Sequence, residues 1–121
     1  MNQITAFEPM TKHGKVEPVT AVAFAPKLLP NAGDAILAIG LECGQIELWT
    51  VPLALSSESS CYILHVVDVS DCHLGVVKNI EWRPCREQQE SNNAGANAQM
   101  HLTFATCGSD HGVRIFDLDL I

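Results

Sequence analysis

Residues 102–117, LTFATCGSDHGVRIFD, place two short apolar segments on either side of a tight polar turn, and their pattern decides the fold. The first segment is rich in small residues and ends at Cys107. Ser109, Asp110, His111 and Gly112 are strong turn formers, because Asp bonds its own backbone and Gly tolerates left-handed dihedrals. In the second segment Val113 and Ile115 alternate with Arg114 and run on into Phe116 and Asp117, which is the period of a strand. Just upstream, VVKNIEWRP (76–84) is another alternating segment, closing on Trp82 and Pro84.

The same order of signals occurs earlier in the chain. VTAVAFAP (19–26) closes on Phe24 and Pro26, and ILAIGLECGQIELWT (36–50) supplies a small-residue strand, a glycine turn and a last strand ending on Trp49. A fixed order of strand signals that occurs twice implies a repeat architecture instead of a single sandwich. The copies differ mainly in one spacing, 13 positions from Phe24 to Leu37 against 22 from Trp82 to Phe104. The surplus, residues 86–99 (REQQESNNAGANAQ), is polar and aperiodic and reads as a solvated loop insertion. A further run, Tyr62 to Val67, is expected to be the outer strand of the first copy. The expected division is a lead-in or remnant strand at 1–16, a first unit at 17–68 and a second at 69–121.

At 121 residues there is room for one core and no separate catalytic domain. With 47% hydrophobic residues and a mean hydropathy of +0.13, the chain is too apolar for disorder, and it has no apolar run long enough for a membrane helix. Seven Lys and Arg against 14 Asp and Glu leave a net charge of −7, which opposes nonspecific binding to nucleic acid or anionic lipid. The amino terminus does not read as a secretory signal, and five irregularly spaced cysteines, Cys43, Cys61, Cys72, Cys85 and Cys107, do not read as a disulfide framework. An intracellular location is therefore expected.

On these two copies the sequence resembles the WD-repeat family, whose four-stranded antiparallel blades stand around a central channel. The resemblance implies an all-β fold of about two such blades in an incomplete ring. It also implies a structural hydrogen-bond network of His, a hydroxyl residue, Asp and Trp. Onto those positions fall His73, Thr106, Asp110 and Phe116 in the second copy. Phe116 has no indole donor, so the network is expected to end at Thr106. In the first copy Trp49 is present, but Lys15, Ile39 and Cys43 stand where His, hydroxyl and Asp belong, and His13 is out of register by two. That blade is expected to rely on apolar packing.

The phrases VTAVAFAPKLLPN (19–31), LAIGLECGQIELW (37–49) and FATCGSDHGVRIFDL (104–118) are similar to the carboxy-terminal end of the double-propeller scaffold subunits of the Elongator transfer-RNA modification complex. The resemblance implies a non-catalytic scaffold segment of a longer protein, in the cytoplasm and nucleus. Its partners would be the catalytic and large scaffold subunits of that complex, with no cofactor, no small-molecule substrate and no direct nucleic-acid contact. Two other readings stay open: an adaptor of a different complex in signalling or ubiquitin ligation, and a small zinc-binding domain.

The zinc reading rests on Cys61, His65, Cys72 and His73, whose types suit the metal but whose spacing contains no C-x2-C pair. A nucleophile among Cys107 or Ser109 with Asp110 and His111 is disfavoured, since consecutive turn residues do not converge their tips on one atom. The glycines of 40–44 and 108–112 open no helix and so form no phosphate loop. RNA contact would have only Lys78, Arg83, Arg86 and Arg114 to use, and Phe24, Trp49, Trp82, Phe104 and Phe116 are assigned to the repeat core instead of a stacking platform.

Overall fold

The computed structural model describes residues 17–29, 33–53, 61–84 and 100–120. The insertion at 86–99, and with it Arg86, lies outside the described residues, as do Lys15, His13 and Cys85. Strands β1 (Val19–Phe24), β2 (Ala35–Leu41), β3 (Ile46–Val51) and β4 (Tyr62–Val66) form one antiparallel sheet in sequence order. A 3-10 turn over Val69–Asp71 leads to β5 (Val77–Trp82), β6 (Met100–Gly108) and β7 (Val113–Leu120), which form a second sheet, also in order. No helix among the described residues is long and apolar enough to cross a membrane. The fold is all-β, in two successive meanders of the kind that build propeller blades. Where two four-stranded sheets are expected, the second has three strands among the described residues.

The repeat extends to the register. Phe24 pairs with Leu37 and Trp82 with Phe104; Leu37 in turn pairs with Trp49 and Phe104 with Phe116. Each first strand carries a bulge at the same place, between Val19 and Ala21 and between Val77 and Asn79. Val22 and Phe24 therefore correspond to Ile80 and Trp82, Gly40 to Cys107, Glu47 to Arg114, and Trp49 to Phe116.

Because side chains alternate along a strand, each sheet has two faces, and one face of the first packs on one face of the second. Ala21, Ala23, Ala38, Ile46 and Leu48 meet Val77, Ile80, Trp82 and Phe104 in the main core. Small residues let the sheets approach: a Cβ on Gly40 would lie 2.3 Å from Cγ1 of Val77, closer than real carbons come. Two hydrogen bonds cross the same seam, from Thr20 Oγ1 to the Val77 carbonyl at 2.6 Å and from Trp82 Nε1 to the Ala23 carbonyl at 3.0 Å. Phe104 lies between Trp82 and Phe116, at centroid distances of 4.8 and 5.0 Å.

Phe24 departs from its assignment to the core, being 59% exposed beside Val22 at 58%. They hold the positions of Ile80 and Trp82, which are covered because the first sheet lies over them. No described sheet lies over the matching face of the first.

Candidate functional site

The structure brings His73, Thr106 and Asp110 together. His73 follows the 3-10 turn, is buried, and donates its backbone N–H to the Gly44 carbonyl at 3.2 Å, so it touches both sheets. Its Nδ1 lies 3.0 Å from Asp110 Oδ1 and its Nε2 lies 2.7 Å from Thr106 Oγ1. The consistent proton arrangement has Nδ1–H donating to the carboxylate and the Thr106 hydroxyl donating to Nε2. The Phe116 ring cannot extend the chain and instead stacks on Phe104.

Asp110 organises the turn as well as the histidine. Its Oδ2 accepts from the Leu74 amide at 3.0 Å and its Oδ1 from the Gly112 amide at 3.2 Å, while Arg114 Nη2 stands 3.9 Å away. The Leu74 amide above all, against a partial desolvation and with help from His73 and the Gly112 amide, holds the carboxyl down at about 2. Ser109 pairs with the same neighbouring loop, its Oγ accepting from Val76 N at 2.9 Å and its N–H donating to the Val76 carbonyl at 2.9 Å. Gly108 is required, since a Cβ there would come within 2.7 Å of His73 Nδ1. With both ring nitrogens and both carboxylate oxygens engaged, the cluster is built to hold the 73–76 segment against the β6–β7 turn.

The first sheet repeats this backbone without these side chains. Gly44 N donates to Leu41 O, Leu41 N to Gln45 O and Glu42 N to Pro18 O; the counterparts are His111 N to Gly108 O, Gly108 N to Gly112 O and Ser109 N to Val76 O. Gly44 and His111 both have positive φ, 98° and 65°. Ile39 is buried at the Thr106 position and Cys43 is exposed at the Asp110 position.

Reliance on apolar packing alone, the expectation for this blade, is corrected by Glu47. This carboxylate is fully buried and accepts from Trp49 Nε1 at 2.8 Å and from Gln45 Nε2 at 2.5 Å. Glu47 and Trp49 share a face of β3, and Gln45, one residue before the strand, keeps the same period of two, which was the available signal. Trp49 thus bonds within its own strand. Its indole has a partner, but not the hydroxyl that the family pattern would supply.

The candidate zinc residues are dispersed. His73 is committed to Asp110 and Thr106, Cys72 is buried with its thiol 3.6 Å from the Val67 carbonyl, and Cys61 packs in a different cluster with Ile39, Leu41 and Trp49. Burial pushes both thiols, Cys61 and Cys72, above their ordinary value. Among the described residues no group of three or more His, Cys, Asp and Glu could hold a metal ion. Lys78 and Arg83 are exposed, whereas Arg114 is turned toward Asp110.

One polar cluster was not anticipated. His101 on β6 bonds Asp119 on β7 through Nδ1, has Asp117 at 3.7 Å from Nε2, and neighbours Thr103, whose hydroxyl donates to Asp117 at 2.8 Å. These groups are cross-strand partners, Thr103 with Asp117 and His101 with Asp119. The Asp119 hydrogen bond, opposed by desolvation, raises the His101 pKa.

Comparison with known proteins adds the context of this scaffold. No protein-family model matches the chain. It is similar to Elongator complex protein 2 of Danio rerio, 37% identical over 106 residues, which is 84% of this chain and 12% of the relative. The Homo sapiens protein of the same name is 33% identical over 99 residues, 80% of this chain and 12% of the relative. The Drosophila melanogaster protein is 31% identical over 107 residues, 88% of this chain and 11% of the relative. The chain therefore spans only about an eighth of the length of these curated relatives.

Proposed function

Because this chain belongs with Elongator complex protein 2, which it matches over most of its own length, we propose that it is a non-catalytic scaffold segment of an Elongator complex. Its partners are the catalytic and large scaffold subunits of that complex, its contribution is to wobble-uridine modification of transfer RNA by the whole assembly, and it acts in the cytoplasm and nucleus. The observation that carries the reading is the use made of the polar side chains. His73, Thr106 and Asp110 bond one another and backbone amides, and the His73 ring and the Thr106 hydroxyl are buried away from any substrate, which suits a structural staple better than a nucleophile and its base. Relatives named as subunits of a complex agree with that role.

The test is affinity purification of the tagged 121-residue chain, and of a longer chain containing it, from cells. Recovery of the Elongator catalytic subunit with either supports the reading. Its absence from the longer chain's eluate, with that chain folded and expressed, overturns it. Imaging of the same tagged chains reports whether they occupy both compartments.

A further inference from the structure

Residues 73–76, which lead into β5, are gripped from both sheets. From the second sheet, Asp110 accepts from the Leu74 amide at 3.0 Å and from the His73 ring at 3.0 Å, and Ser109 Oγ accepts from the Val76 amide at 2.9 Å. From the first, the Gly44 carbonyl accepts from the His73 amide at 3.2 Å. The fit is close on both sides: a Cβ on Gly44 would lie 2.0 Å from the His73 carbonyl oxygen, and one on Gly75 would lie 2.3 Å from Ser109 Oγ. We propose that this segment is a two-position clasp, seated between the 41–46 and 108–113 turns or released from both, through which a change at either turn is felt at the other.

The coupling follows from how the segment is held and what bounds it. The amides of His73, Leu74 and Val76 all donate to one turn or the other, so the turns decide whether the segment stays seated. His73 carries both grips at once: its amide bonds the first sheet, and its buried ring bonds Asp110 and Thr106 in the second. Backbone and ring belong to one residue in a close-packed site, so displacing either contact strains the other. Opening stays local because the residues on each side are anchored, Cys72 and Val77 both lying in the main buried cluster with Ala38, Ile46 and Phe104. A segment with two arrangements, biased from two places, is the physical basis of coupling between those places. Leu74 rides on it with its side chain 90% exposed, so a contact made there bears on both turns. The clasp is built from this chain's own turns, so the inference goes beyond the scaffold reading and stands without it.

The test is amide exchange of the folded 121-residue chain, read residue by residue by NMR, with the readouts crossed. Gly44→Ala strikes the first turn and should speed exchange of the Leu74 and Val76 amides, which the second turn holds. Asp110→Ala strikes the second turn and should speed exchange of the His73 amide, which the first holds. About tenfold is expected in each case, the scale of one hydrogen bond to a charged group. Ser109→Ala removes only the acceptor of the Val76 amide, should speed the His73 amide by a smaller factor, and serves if either of the other variants does not fold. The proposal is overturned if each variant frees only the amides bonded to its own turn. It is overturned equally if exchange rises as much at the strand amides of Ile39 and Ile80, since the opening is then not local.

Discussion

The turns at 41–46 and 108–113 share a backbone and almost nothing else. Each closes with the same hydrogen bonds and places a residue with positive φ at the same step, Gly44 in one and His111 in the other. Around the second, Asp110, His73 and Thr106 tie the turn to the incoming loop. Around the first, Cys43 and Ile39 offer no such tie, and the polar bond has moved two strand positions along, to Glu47 and Trp49. Backbone geometry is thus repeated while the groups that stabilise it are exchangeable, provided each buried donor finds an acceptor.

The sharpest contrast lies at Gly40 and its counterpart Cys107. Gly40 faces the seam, where Val77 leaves no room for a Cβ, whereas Cys107 faces away from the first sheet and already carries a side chain. Gly40→Val should cost about 3 kcal/mol or more by overpacking, and Cys107→Val less than about 1 kcal/mol. Urea denaturation of both variants measures the difference. Equal losses would mean that the two sheets do not pack along this seam.

Next in size is the buried carboxylate of the first sheet. Glu47→Ala leaves the donors of Trp49 and Gln45 unpaired and should destabilise by about 1 to 3 kcal/mol, while Glu47→Gln retains an acceptor oxygen and should cost less. Indole fluorescence during unfolding reads both values. A loss identical for the two variants would show that the acceptor oxygen is not what matters.

The second sheet answers with a pH dependence instead. The Asp110 carboxyl, at about 2 when folded against 3.8 ordinarily, takes up a proton less readily in the folded state than in the unfolded chain. Its contribution is complete above 3.8 and is lost as pH falls through about 2. Melting midpoints of the parent chain should therefore fall between about pH 4 and pH 2 more than those of Asp110→Asn. Parallel curves for the two would remove Asp110 from the acid transition.

Much of this contrast was legible in the residues. The strands and the turns follow from alternation and from the repeat, because period and turn chemistry are local properties of the chain, whereas the gathering of His73, Thr106 and Asp110 was legible only as what the family resemblance implies. Glu47 was not legible as a buried acceptor, since a charged residue on an alternating strand ordinarily marks a solvated face. Phe24 was misassigned because its position in the repeat says which face it occupies, but only a neighbouring sheet decides whether that face is covered. The seam bonds of Thr20 and Trp82 join residues 57 and 59 apart, and such pairs depend on how sheets pack.

His101 shows the same limit and supports the smallest prediction. Its pairing with Asp119 depends on where β6 resumes after the 86–99 insertion, which no local pattern fixes, so the cluster emerges only from the register Thr103 with Asp117 and His101 with Asp119. The first sheet has Ile36 and Thr50 where the second has Thr103 and Asp117, and so it builds no counterpart. Since the folded His101 pKa is raised above 6.5, the stabilisation it brings is full below 6.5 and is lost as pH rises through the folded value. A histidine proton resonance titration should place His101 above 6.5 in the parent chain and lower in Asp119→Asn, with only a slight change in melting midpoint because the pair is solvent-exposed. An unchanged titration in Asp119→Asn would separate His101 from Asp119 and, with it, the register that carries the acidic face of β7.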